Sequence, residues 1–190
     1  MQKTEEQILE QQIKNGEFIK TAIEICKRDD TKENRNRMMM LLRDSLVWVP
    51  CNAIFSDADN KAMSEVVLEA HENGELESLK GNTFVCHDEV RMVPDILQNG
   101  DDFFFPVFSS EAEMGEYGEG FSRIQSHFLE AVTLAKNNEM NVKGIVINAF
   151  SDPFVVPIEI CNIIAKMKSG LEGREELKRI FWEFVPAEKR

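Results

Sequence analysis

The chain has 190 residues, 43% hydrophobic and 29% charged, and its formal net charge of −12 is uneven: residues 51–120 carry sixteen acidic and three basic side chains while both flanks are nearly balanced. A surface of that sign repels phosphate backbones and excludes nucleic acid as a partner, since nucleic-acid affinity comes largely from Lys and Arg. The length suits one domain with additions, no apolar run approaches the roughly 18 to 20 residues that cross a bilayer, and the polar start lacks a signal peptide's apolar stretch, so a cytoplasmic protein without membrane contact is expected.

The N-terminal third reads as helices. A short polar helix is predicted over residues 4–14, stopped by Asn15-Gly16, because Asn and Gly readily take the left-handed conformation. Ile19, Ala22, Ile23 and Cys26 then recur on one helical face. Thr31 is placed to cap a third helix through Met38-Met39-Met40-Leu41-Leu42, a run wide enough to need burial on more than one side.

From Leu46 to Cys51 the Val and Trp content suits a buried strand. Ser56-Asp57-Ala58-Asp59-Asn60 breaks it, and Met63, Val66, Val67 and Ala70 resume helical spacing; Asn73-Gly74 to Gly81-Asn82 reads as an acidic connection. Residues 83–108 are expected to form an antiparallel meander with strands at 83–86, 90–93 and 102–108, a turn at His87-Asp88-Glu89, and Asn99-Gly100 supplying a tight hairpin. Ser110-Glu111-Ala112-Glu113 has the spacing of a capping box for a short acidic helix to about Tyr117, ended by Gly118-Glu119-Gly120.

An edge strand is expected over residues 121–124, and Phe128, Ala131, Val132 and Ala135 define a further amphipathic helix. Gly144-Ile145-Val146-Ile147-Asn148 is a continuous apolar strand, as when both faces of a sheet are covered. Phe154-Val155-Val156 leads to Pro157, a helix-starting position, with Ile160, Ile163, Ile164 and Met167 as the expected buried stripe. A last helix carries Leu177, Ile180, Phe181 and Phe184 on one face. The fold class is therefore α+β: a mixed, largely antiparallel sheet of about five or six strands covered by helices, with extra N- and C-terminal helices. Cys26, Cys51, Cys86 and Cys161 lie far apart with no C-x-x-C pair, and the reducing compartment argues for free, mostly buried thiols.

Three motifs, in this order and spacing, resemble the N-terminal domain of the SseB (enhanced serine sensitivity protein) family: Leu46-Val47-Trp48-Val49-Pro50; Phe105-Pro106-Val107-Phe108-Ser109-Ser110; and Gly144-Ile145-Val146-Ile147-Asn148 followed by Phe154-Val155-Val156-Pro157. The resemblance spans about residues 33–168, leaving 1–32 as a helical extension and 169–190 as a C-terminal amphipathic helix. Ala149 stands where the family pattern has proline, and no second domain of this type follows within the chain. The resemblance implies a fold and no active site.

Catalytic motifs fail one by one. His71-Glu72-Asn73-Gly74-Glu75 lacks the second zinc histidine, and Asp57-Ala58-Asp59 lacks the glycine and glutamate of a calcium loop, which Ala62 and Leu68 replace. Cys86-His87-Asp88 on one strand would place neighbouring side chains on opposite faces. Phosphate-binding and nucleophile-turn motifs are absent, so no cofactor or metal is expected. Two readings follow. One is a non-enzymatic interaction or regulatory domain, meeting a protein partner or a second copy through Glu111, Glu113, Glu116, Tyr117 and Glu119 and through Phe181, Trp182 and Phe184 of the last helix. The other is a small-molecule binder or cryptic enzyme with an acidic pocket, in which Asp88, Glu111 and Glu113 do acid and base work provided burial raises their pKa values.

Overall fold

The computed structural model describes residues 16–169; the polar helix expected over 4–14 and the stripe Leu177, Ile180, Phe181 and Phe184 lie outside the described residues. Helix α1 (Glu17–Arg28) buries Phe18, Ile19, Ala22, Ile23 and Cys26, the face its spacing predicts. Helix α2 (Lys32–Asp44) starts at Thr31, whose hydroxyl accepts the Asn34 N–H at 3.1 Å and so satisfies one of the helix's orphan donors. Met38, Leu41 and Leu42 enter the core while Met39 packs on its edge, as the width of that run requires.

Strand β1 (Leu46–Ile54) turns Val47, Val49 and Cys51 inward. It pairs antiparallel with β2 (Arg91–Pro94) and β5 (Ser122–His127) in a three-stranded sheet. A second sheet runs β3 (Leu97–Asn99), β4 (Asp102–Val107), β6 (Gly144–Ile147), β7 (Phe154–Pro157), with β4 and β6 parallel and the other pairs antiparallel. Trp48 and Phe108 exchange two N–H···O bonds of 2.8 Å, which join the sheets. Pro50 has no N–H to give, and it falls where β1's neighbour on that side changes from Phe108 to β2, so no ladder donor is missed. The fold is α+β with mostly antiparallel strands, divided between two bridged sheets. Helices α1, α2, α4 (Phe128–Lys136) and α5 (Ile158–Lys166) share one core with these sheets, centred on Phe18, Leu41, Phe105, Phe128, Ile145 and Ile164.

Three expectations are corrected. Residues 83–86 form no strand and the 83–108 meander does not exist as such: β2 pairs with β1, and the Asn99-Gly100 hairpin instead joins the short β3 to β4. Gly100, at φ 62°, supplies the positive φ this two-residue loop requires. The α3 (Asp57–Glu72) stripe is mostly uncovered: Ala70 is buried, but Val66 and Val67 are exposed, because α3 packs chiefly on the 3₁₀ turn Leu76–Leu79 rather than on a sheet. In α5 the buried residues are Cys161 and Ile164, while Ile163 is half exposed.

Just past residues 83–86, the expected turn at His87-Asp88 is held by a side chain rather than by flanking strands. Asp59, 1% exposed, accepts the backbone N–H groups of His87 at 2.9 Å and Asp88 at 3.2 Å, together with its N-cap partner Ser56. A carboxylate that captures backbone donors offers the chain an alternative to a ladder. These bonds, led by the His87 N–H, hold the Asp59 carboxyl down at about 2, against an ordinary value of 3.8. A carboxylate depressed on folding stabilises above its unfolded pKa, and that contribution is lost as pH falls from about 4 towards 2. The His87 and Asp88 amide resonances are expected to titrate with a midpoint near 2, and Asp59→Asn to show the acid form's weakened amide protection at neutral pH. A midpoint near 4 would contradict this anchoring.

Candidate functional site

The single parallel pair of strands in the second sheet places two chain segments side by side at one end of it. Here β4 and β6 end side by side at Val107 and Ile147. The chain beyond β6 passes through Asn148, a buried non-glycine residue at φ 52°. Its side chain accepts the Ser109 N–H at 2.8 Å and donates to the Ser109 hydroxyl at 3.0 Å, which pins the two strand ends together. Gly16, the residue before α1, lies directly on the Ser109 carbonyl, so a third element closes on the same point.

Beyond Ser110 the chain forms a 3₁₀ segment, Glu111–Gly120, kinked at Gly115 (φ 52°). The expected capping box is not made. The Ser110 side chain makes no cap bond, and Glu113 points instead to Lys20 at 2.6 Å and to the Ser151 hydroxyl. A charged partner outweighs a backbone N–H as the carboxylate's donor. Glu113 thereby ties α1, the 3₁₀ segment and the loop after β6. Hydrogen bonding from Lys20, then from Ser151, holds its carboxyl below the ordinary range, and the same contact raises the Lys20 ammonium.

Between the 3₁₀ segment and residues 150–151 lies a cleft of about 560 Å³ lined by Glu113, Met114, Glu116, Tyr117, Phe150 and Ser151. Two of its lining rings pack on further aromatics: Tyr117 stands 4.5 Å from Phe150 and 4.8 Å from Phe121, centroid to centroid, and the buried Phe108 lies 6.2 Å from Phe150 in near-parallel stacking. The Tyr117 hydroxyl donates to Asp95, and burial, with that bond, pushes its phenol strongly upward. It is a neutral donor at physiological pH. Phe150 is 55% exposed although its ring is braced on two others.

Of the candidate residues, Glu113, Glu116 and Tyr117 line this cleft. Glu111 lies on the same segment but pairs with Arg123 at 2.5 Å, and Glu119 is exposed near the segment's end. Asp88 is held beside Asp59 and does not line the cleft. Phe181, Trp182 and Phe184 lie outside the described residues. The raised pKa needed for acid catalysis is contradicted at Glu113, where a cation and a hydroxyl favour the ionised form. The His87 ring directs Nδ1 to Asp59 at 3.2 Å rather than serving Cys86. Among the described residues no group of three His, Cys, Asp or Glu is placed to hold a metal ion, all four cysteines are free, and no helix is long and apolar enough to cross a membrane. Sequence reasoning missed Lys20, Ser109, Asn148, Phe150 and Ser151 as site residues; the one available signal was the Ser151-Asp152-Pro153 turn shortly after an apolar strand.

The family model of the SseB protein N-terminal domain matches residues 19–159, from within α1 to the first turn of α5. No curated protein and no solved structure matches the chain.

Proposed function

The chain belongs to the SseB N-terminal domain family, and on that premise we propose that it is a docking domain, whose cleft at the ends of β4 and β6 receives a basic partner segment tipped with an apolar side chain. The observation that carries this reading is Phe150. An aromatic ring half exposed yet braced on Tyr117 and Phe108 has less conformational freedom to lose on binding, which is the property of interface hot spots. Glu116 beside it and Glu119 on the same segment supply an acidic rim, which favours cationic partners and speeds encounter.

A photoreactive residue in place of Glu116 is expected to capture a discrete partner in cells, with the adduct lost when Phe150→Ala is added. The same residue at Val85, exposed in the stretch before β2 and not among the cleft's lining residues, serves as control. Against the captured partner, Phe150→Ala is expected to weaken binding by about tenfold or more at little cost to folding. Identical adducts from positions 116 and 85, or an adduct that survives Phe150→Ala, would defeat the proposal. A cleft of this size also falls within the range of small-molecule pockets, and a metabolite that raises Tm in a Phe150-dependent manner would favour that second reading instead.

A further inference from the structure

The outer strands of the two sheets differ in how they are closed to further pairing. An outer strand carries unpaired backbone donors and acceptors, which native proteins blunt by shortness, proline or charge. β3 has three residues, and β2 and β7 have four each and end in Pro94 and Pro157. β5 has six residues, no proline and no acidic side chain, and all but Ser126 are exposed. Its one fixed charge, Arg123, is drawn aside, since the guanidinium donates to the Gly118 carbonyl at 3.2 Å and to Glu111 at 2.5 Å.

Alternation along the strands fixes which groups β5 leaves open. On β1, Trp48 bonds Phe108 on the far side and the Pro50 carbonyl accepts the Asp95 N–H at 2.9 Å, so Val47, Val49 and Cys51 are the residues that bond β5. Their partners are Ser126, Ile124 and Ser122. Arg123 and Gln125 therefore turn their backbone N–H and C=O groups to the outer edge, where they meet no partner among the described residues. His127 faces outward too, but its N–H donates to Glu130 at 3.3 Å. Ile124 lies opposite Val49, which is buried on the core face, yet is itself 36% exposed, so this apolar row ends uncovered at the edge.

We infer that β5 pairs antiparallel with β5 of a second copy of this chain, about a two-fold axis through Ile124. Arg123 then faces the second copy's Gln125, and Gln125 its Arg123, so every open donor on both strands finds an acceptor. An axis through Gln125 would instead set Arg123 against the second copy's His127, whose N–H is already engaged. Ile124 meets its own counterpart and carries the row begun by Val49 across the junction. Charge selects a second copy as the occupant. The acidic excess lies over residues 51–120, and β5 carries none of it, so two chains of net charge −12 approach here with least repulsion. The carboxylates bonded to β5, Glu111 and Glu130, are held by Arg123 and by Ser126 with the His127 N–H. A cationic segment, the partner proposed for the aromatic cleft, finds no carboxylate on this strand. No β5 residue lines that cleft, and the two proposals stand or fall separately.

The test follows the mass of the full chain by light scattering over an about hundredfold range of concentration. A rise from monomer to dimer is expected. It should be abolished by Ile124→Lys, which sets like charges directly opposite, and by Gln125→Pro, which removes an outward donor where an edge strand tolerates proline. Register is read by cross-linking in a Cys86→Ser background, which removes the partly exposed native thiol. Residues facing across a non-hydrogen-bonded pair lie about 4.5 Å apart, within reach of a disulfide. Ile124→Cys is therefore expected to give a disulfide-linked dimer about tenfold faster or more than Ser126→Cys, since Ser126 faces the second copy's Ser122 rather than itself. A monomer at every concentration, a dimer that survives both substitutions, or equal cross-linking from positions 124 and 126 would each overturn the inference.

Discussion

Replacing Gly16 by alanine is expected to cost about 3 to 4 kcal/mol and to lower Tm by roughly 10 °C, judged from the usual effect of such steric conflicts and from about 2 to 4 °C per kcal/mol at this chain length. The new Cβ would lie 1.8 Å from the Ser109 carbonyl oxygen and 2.4 Å from its carbon, with φ at +69° besides. Positive φ alone accounts for about 1 kcal/mol. The rest comes from the collision, because Ser109 cannot retreat without breaking its bonds to Asn148. Gly74 provides the control: its φ is +70° but no atom lies within 4 Å of the added Cβ. Gly74→Ala is therefore expected to cost only about 1 kcal/mol. Urea denaturation of the two variants measures the difference, and equal losses would show that close approach at Gly16 contributes nothing.

The second large effect is expected at Asn148. Asn148→Ala removes the acceptor for the buried Ser109 N–H and the donor to its hydroxyl, and places a residue less tolerant of φ 52° at that position. An orphaned buried donor costs about 1 to 3 kcal/mol and the backbone about 1 more, for a total near 3. Asn148→Gly loses the same hydrogen bonds but relieves the backbone, so it is expected to be about 1 kcal/mol milder than alanine. Equal losses would mean that the conformation at 148 carries no strain. Because Ser109 and Asn148 hold the roots of the 3₁₀ segment and of the Phe150 loop, both variants are also expected to blur the cleft, visible as broadened Phe150 and Tyr117 ring resonances.

Local chemistry made some features of the chain legible without coordinates. The Ile19-Ala22-Ile23-Cys26 and Phe128-Ala131-Val132-Ala135 stripes are buried as their period requires, Thr31 caps the helix it precedes, and the apolar run Gly144–Ile147 is buried at every residue. The family motifs were legible for the same reason, since each is a short run whose burial follows from its own composition. Where the reading failed, distant parts of the chain decided the outcome. β2 paired with β1 rather than with a strand at 83–86, Lys20 took the carboxylate that would have closed a capping box, and Val66 and Val67 found no sheet to cover them.

The amino-acid sequence by itself determined most of the described helical and extended segments, the acidic middle third and the α+β class, because those follow from period, propensity and turn chemistry among near neighbours. Tertiary structure alone decided that β4 and β6 run parallel and end together, that Gly16 sits on Ser109, and that Tyr117, Phe150 and Glu113 share one cleft with Lys20 and Ser151. These meetings join residues many positions apart, and the free energy that selects them comes from burial and hydrogen bonding across the whole core, which no local window of sequence contains.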